Sequence, residues 1–166
     1  MNIKAICLSA LIVISGNIHS ASVLEKGPYD VCFQTFETYD ESRQYIVGED
    51  TIARPLLIHF WYPSAEKIKD PGLAFKDYID LIALRENFSR NSSEVSESSF
   101  NFVSAYSGFA KQVFGLDTSI TTQQILDCPV SSKSGEANIV AGELPLIIYA
   151  PSNSKASVQN HLLCEY

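Results

Sequence analysis

Few side chains in this 166-residue sequence have the types and spacing that covalent chemistry requires. Histidines stand only at positions 19, 59 and 161, and cysteines at 7, 32, 128 and 164. Nucleophilic hydrolysis needs a serine or cysteine, a histidine to take its proton, and an acid to orient the histidine. A Gly-x-Ser-x-Gly elbow would present such a serine, yet the eight glycines (16, 27, 48, 72, 108, 115, 135, 142) never frame one. His59 lies inside an apolar run between Ile58 and Phe60, where a hydrogen-bonded structural histidine is the ordinary outcome. His161 reads as a surface or packing residue. No C-x-x-C or H-x-x-x-H spacing occurs, so neither a metal site nor a cofactor is expected. Asp77, Asp80 and Glu86 are not a catalytic carboxylate pair but the wet face of a helix.

The chain holds 12 Lys+Arg against 19 Asp+Glu, a net charge of −7, which argues against nucleic acid as a partner. With 46% hydrophobic residues it can bury a real core, and no repeat period runs along it. Its first 20 residues read as a secretory signal peptide: Lys4, an apolar stretch over residues 5–15, then small residues up to a cleavage after Ser20. That stretch is too short for a stable membrane span, which needs about 20 residues. The expectation is a secreted or periplasmic protein whose folded part is residues 21–166. Export leaves Cys32, Cys128 and Cys164, enough for one disulfide among three pairings, Cys32–Cys128 being one of them. Asn87-Phe88-Ser89 and Asn91-Ser92-Ser93 match the N-glycosylation pattern in a eukaryotic host.

Alternation predicts a strand over residues 30–38, a polar loop over 39–50, and an apolar strand over 55–62 buried within a sheet and ended by Pro63. The two strands should be antiparallel neighbours. Phe75, Ile79 and Ile82 predict a helix, and residues 89–99, six of them serine, a surface loop. Ser98 or Ser99 would cap a second helix carrying a core stripe of Phe102, Tyr106, Phe109 and Val113, with Gly115 closing it. A short helix over residues 122–126 and a polar stretch through 138 follow. Residues 144–150 read as a strand covered on both faces. A polar loop leads from it into a helix from Val158, the first half of a βαβ unit that stops before its parallel partner strand.

Two windows resemble one family. Arg54-Pro55-Leu56-Leu57-Ile58-His59-Phe60-Trp61-Tyr62-Pro63 resembles the second strand of α/β-hydrolases close to platelet-activating-factor acetylhydrolase and the dienelactone-hydrolase-like esterases, where Trp-Tyr-Pro ends that strand. Leu144-Pro145-Leu146-Ile147-Ile148-Tyr149-Ala150-Pro151, within residues 143–166, resembles the third strand, and His161-Leu162-Leu163-Cys164-Glu165-Tyr166 the start of its following helix. The resemblance implies an α/β fold, namely the N-terminal portion of a hydrolase sheet with a helical insertion. The parent would be a secreted serine esterase on carboxylic esters or phospholipid acyl chains, active in lipid degradation. In that family serine, acid and histidine all follow the third strand, so no catalytic residue falls within this chain. The loop after the third strand gives the oxyanion hole a backbone N–H, which makes Ser152 and Asn153 the candidates, although this loop lacks the family's glycines. The competing reading is a non-catalytic exported binding protein or a decayed hydrolase remnant. In either case the unpaired apolar run at 146–149 predicts an aggregation-prone isolated chain.

Overall fold

The computed structural model describes residues 27–69, 72–114, 119–135, 138–150, 158 and 161–165. Residues 1–20, read from the sequence as a signal peptide, Gly115, and the oxyanion candidates Ser152 and Asn153 lie outside the described residues. Among the described residues, a four-stranded mixed sheet and three helices of more than one turn give an α/β-type architecture.

Strands β1 (Val31–Val47) and β2 (Asp50–Pro63) form a long antiparallel hairpin, with Val31 opposite Pro63 and Val47 opposite Asp50. The expected pairing is there, but the loop expected over 39–50 is not. Thr38, Tyr39, Tyr45, Ile46 and Val47 are strand formers, and Gly48 (φ 63°) with Glu49 closes a two-residue turn. No described non-glycine residue has positive φ, so only the first central position is left-handed, where glycine carries no Cβ penalty. The polar residues 41–43 bulge out of β1, since Asp40 pairs with Arg54 and the next pair is Gln44 with Ala53. Asp40 ties the bulge by accepting from the Ser42 N–H (3.0 Å), the Ser42 hydroxyl (2.6 Å) and Arg43 Nε. These bonds, that of Ser42 foremost, hold the Asp40 carboxyl down at about 2.

The strand order is β2-β1-β4-β3, which puts β2 at the edge rather than in the interior. Its apolar run is therefore only half covered. Trp61 and His59 share a face with Phe33, while Ile58 and Phe60 on the opposite face are exposed. Strand β4 (Pro129–Ser134) comes from the polar stretch through 138, for which no strand was expected, and joins β1 in parallel through Cys32–Lys133 and Phe33–Ser134. The three-residue β3 (Gly72–Ala74) closes the other edge.

Helix α1 (Phe75–Leu84) follows the expected stripe: Ile79 is buried, Phe75 and Ile82 pack beside it, and Asp77 accepts the Ala74 N–H at 2.8 Å. Helix α2 (Ser92–Phe114) begins seven residues before Ser99, inside the segment read as loop. Its cap is Asn91, whose Oδ1 accepts the Ser93 and Glu94 N–H groups (3.1 and 3.0 Å) while the Glu94 carboxylate takes the Asn91 N–H. This Asn-x-x-Glu capping box outweighs the loop composition of the serines. Ser99 is buried in mid-helix and donates to Asp80 of α1. The inward row is Val95, Ser99 and Val103; Phe102, Tyr106, Phe109 and Val113 are exposed, Tyr106 and Phe109 at 55% each. The expected period is present and its phase is wrong, because the face that packs is the one on which Ser99 donates to Asp80 and Val103 joins Ile79, Ile125 and Leu126. Helix α3 (Thr122–Leu126) has a complete Thr121/Gln124 capping box, and helix α4 (His161–Cys164) is a single turn. One cluster of core residues joins Ile79, Val103, Ile125 and Leu126; the other joins Phe33, Tyr78 and Val158.

Residues 144–150 form no strand, and Leu146, Ile147 and Ile148 are 81–86% exposed. The expected opening of a βαβ unit is thus not formed, since no described strand edge reaches this run. Instead residues 138–140 clasp the end of β2, with Asn138 O accepting from Ala65 N–H and Val140 N–H donating to Pro63 O. No described helix is long and apolar enough to cross a membrane.

Candidate functional site

The functional candidate grows from the end of β2. Pro63 cannot extend the ladder, so the strand stops there with Trp61 turned onto the helical layer. Trp61 Nε1–H donates to Tyr78 Oη of α1 at 3.0 Å. Tyr78 Oη–H in turn donates to Glu165 Oε1 at 2.6 Å, and Glu165 Oε2 accepts the Ser131 N–H of β4 at 2.9 Å. One carboxylate therefore joins β2, α1, β4 and the residue after α4. Glu165 is 2% exposed and Tyr78 fully buried. Burial, and next the charge of Glu165, push the Tyr78 phenol well above its usual 10, so it serves as a donor. Phe33 meets Tyr78 edge to face at 4.8 Å, fixing the ring between strand and helix.

His161 packs on the same tyrosine, with ring centroids 4.9 Å apart, and its Nδ1 lies 3.0 Å from the Val158 carbonyl. Burial lowers its pKa below the ordinary 6.5 against the opposing charge of Glu165, so the ring is neutral at pH 7. The histidine is a packing residue, as its sequence context suggested. His59 lies 3.2 Å from Thr35 Oγ1 and beside Phe33 and Trp61, and burial holds it at about 4. It too has a structural setting.

An open cleft of about 230 Å³ lies over this network, lined by Pro28, Tyr29, Trp61, Tyr62, Cys164 and Glu165 among others. No disulfide joins Cys32, Cys128 and Cys164 to one another, so the Cys32–Cys128 bridge allowed by the sequence is not formed. Burial, helped by Glu165, raises the Cys164 thiol above its ordinary value. Asn87 and Asn91 are both exposed, and both use Oδ1 to accept backbone N–H groups. No three potential metal ligands cluster among the described residues.

Sequence reasoning singled out Trp61-Tyr62-Pro63 but gave no role to Tyr78 or Glu165. The available signal was Tyr78 on the buried stripe of α1, since a buried phenol needs a partner. Which partner it finds, 87 residues away, is not a local property. The fold defines a mixed α/β protein with a buried indole–phenol–carboxylate chain beneath an aromatic cleft. No protein-family model, curated protein or solved structure matches the chain.

Proposed function

We propose that this chain is the N-terminal part of a secreted serine hydrolase of carboxylic esters, phospholipid acyl esters among them. The observation that carries the reading is a convergence. Trp61, Tyr62 and Pro63 close the first hydrolase-like window, and Cys164 and Glu165 fall in the second; together they line one cleft, tied through Tyr78. The two windows, about a hundred residues apart in sequence, thus belong to one assembled region.

In this reading the serine, acid and histidine are supplied downstream of Tyr166. Ester cleavage forms an acyl-enzyme on that serine, with alcohol as the leaving group, and water then releases the acid. Ser152 and Asn153 would contribute backbone N–H groups to the developing oxyanion. On this reading, this part alone hydrolyses no ester. The test is to read the transcript past codon 166 and treat its full product with a serine-directed fluorophosphonate. A frame entering Gly-x-Ser-x-Gly, with labelling that abolishes turnover of short acyl esters, is expected. A stop codon at that point, with no turnover, would overturn the proposal in favour of a non-catalytic exported binding protein.

A further inference from the structure

The cleft has a chemical character that owes nothing to ester hydrolysis. Glu165 lines it, yet the residue is 2% exposed and its described hydrogen-bond donors, Tyr78 Oη–H and Ser131 N–H, are both neutral. The ion pairs among the described residues are Asp40–Arg43, Asp30–Lys67, Asp80–Lys76 and Glu86–Arg85, none of which reaches Glu165. Among the described residues, His161 packs on Tyr78 and is neutral at pH 7. A buried carboxylate is costly when no cation compensates it, and a cation placed beside it recovers that cost.

The walls select the kind of cation. Tyr29, Trp61 and Tyr62 supply aromatic surface, with Pro28 and Val31 completing an apolar lining. Aromatic faces attract weakly hydrated organic cations through the ring quadrupole, whereas a small metal ion would have to shed its water against apolar surface. The cleft, about 230 Å³, falls below the 300–1,000 Å³ typical of drug-sized ligands, which suits a headgroup rather than an extended molecule. We propose that this cleft is a binding site for a small alkylammonium or quaternary ammonium group, held among Tyr29, Trp61 and Tyr62 against the Glu165 carboxylate. The proposal is independent of the hydrolase reading, because cation binding here needs no nucleophile.

Trp61 is the only tryptophan in the chain, so its emission reports directly on the cleft. The purified chain is titrated with choline chloride, with the neutral isostere 3,3-dimethylbutan-1-ol, and with sodium chloride at matched ionic strength. Choline should give a saturable change, the isostere should bind at least about tenfold more weakly, and sodium chloride should give none. Glu165→Gln, which keeps an acceptor for Tyr78, should bring choline and the isostere to within about twofold of each other. Tyr29→Ala, at an exposed rim position outside the buried network, should weaken choline at least about threefold with the fold intact. This second variant keeps the test decisive if Glu165→Gln unfolds the protein. Co-flotation with phosphatidylcholine vesicles but not with phosphatidylglycerol vesicles would assign a lipid headgroup; choline saturation without flotation would assign a free cation. Either outcome upholds the site. Equal binding of choline and its isostere, or no saturation by choline, would overturn it.

Discussion

Replacing Tyr78 by phenylalanine tests whether the buried chain of hydrogen bonds holds the layers of this fold together. The ring itself remains, so packing against Phe33 and Trp61 is preserved and only the hydroxyl is lost. Glu165 Oε1 then loses its 2.6 Å donor, and Trp61 Nε1–H loses its 3.0 Å acceptor. A hydrogen bond to a buried charge contributes about 1.5–3 kcal/mol, and an orphaned part-buried N–H costs roughly 1 kcal/mol more. The expected loss is about 3 kcal/mol, a fall in Tm of about 6–12 °C for a chain of this size. Glu165→Gln should cost less, about 2 kcal/mol, because the amide still accepts one bond. The assay is urea unfolding at low micromolar concentration, followed by Trp61 emission and far-UV circular dichroism, for both single variants and the double variant. A real Tyr78–Glu165 interaction requires a coupling energy of at least about 1 kcal/mol in that cycle. A Tyr78→Phe cost within about 0.5 kcal/mol of zero, the range of an unremarkable surface change, would refute the reasoning.

Three further outcomes follow from the structure. Because the folded-state pKa of His59 is lowered to about 4 from 6.5, the unfolded chain takes up the proton first as pH falls. Stability from this residue should therefore be complete above pH 6.5 and drain away down to about pH 4, by about 3 kcal/mol at most. His59→Phe should flatten that limb, and an NMR titration placing the imidazole near 6.5 would refute the assignment. The exposed run at Leu146, Ile147 and Ile148 predicts that the chain binds a hydrophobic dye and self-associates in sedimentation, and lysine at all three positions should abolish both. Persistence of both would locate the sticky surface elsewhere, such as the Tyr106/Phe109 stripe. Thr121→Ala removes the side-chain cap on Gln124 N–H (3.2 Å) and should cost roughly 0.5–2 kcal/mol, measured by urea unfolding.

What the sequence determined by itself is what local rules govern. Alternation and Pro63 located the β1–β2 pair and its end, and the Phe75/Ile79/Ile82 stripe located α1, because each depends on neighbours a few residues away. The short α3 was equally legible from its own residues. Even the α2 start at Asn91 was written locally, in an Asn-x-x-Glu box hidden by the serine-rich composition around it. Of the site, Trp61 was visible as a strand-end residue, and Glu165 stood in plain view without a role. Tertiary structure decided the remainder. It chose Val95, Ser99 and Val103 over the aromatic stripe as the buried row of α2, because the spacing between helices, not the periodicity, selects which face fits. It drew the polar segment Pro129–Ser134 between β1 and β3, where ladder hydrogen bonds outweigh weak strand propensity. It left residues 146–148 exposed for want of a strand edge, and it brought Glu165 to Tyr78 across 87 residues. A buried carboxylate must find its donors wherever the packed chain places them, and only the packed chain specifies where that is.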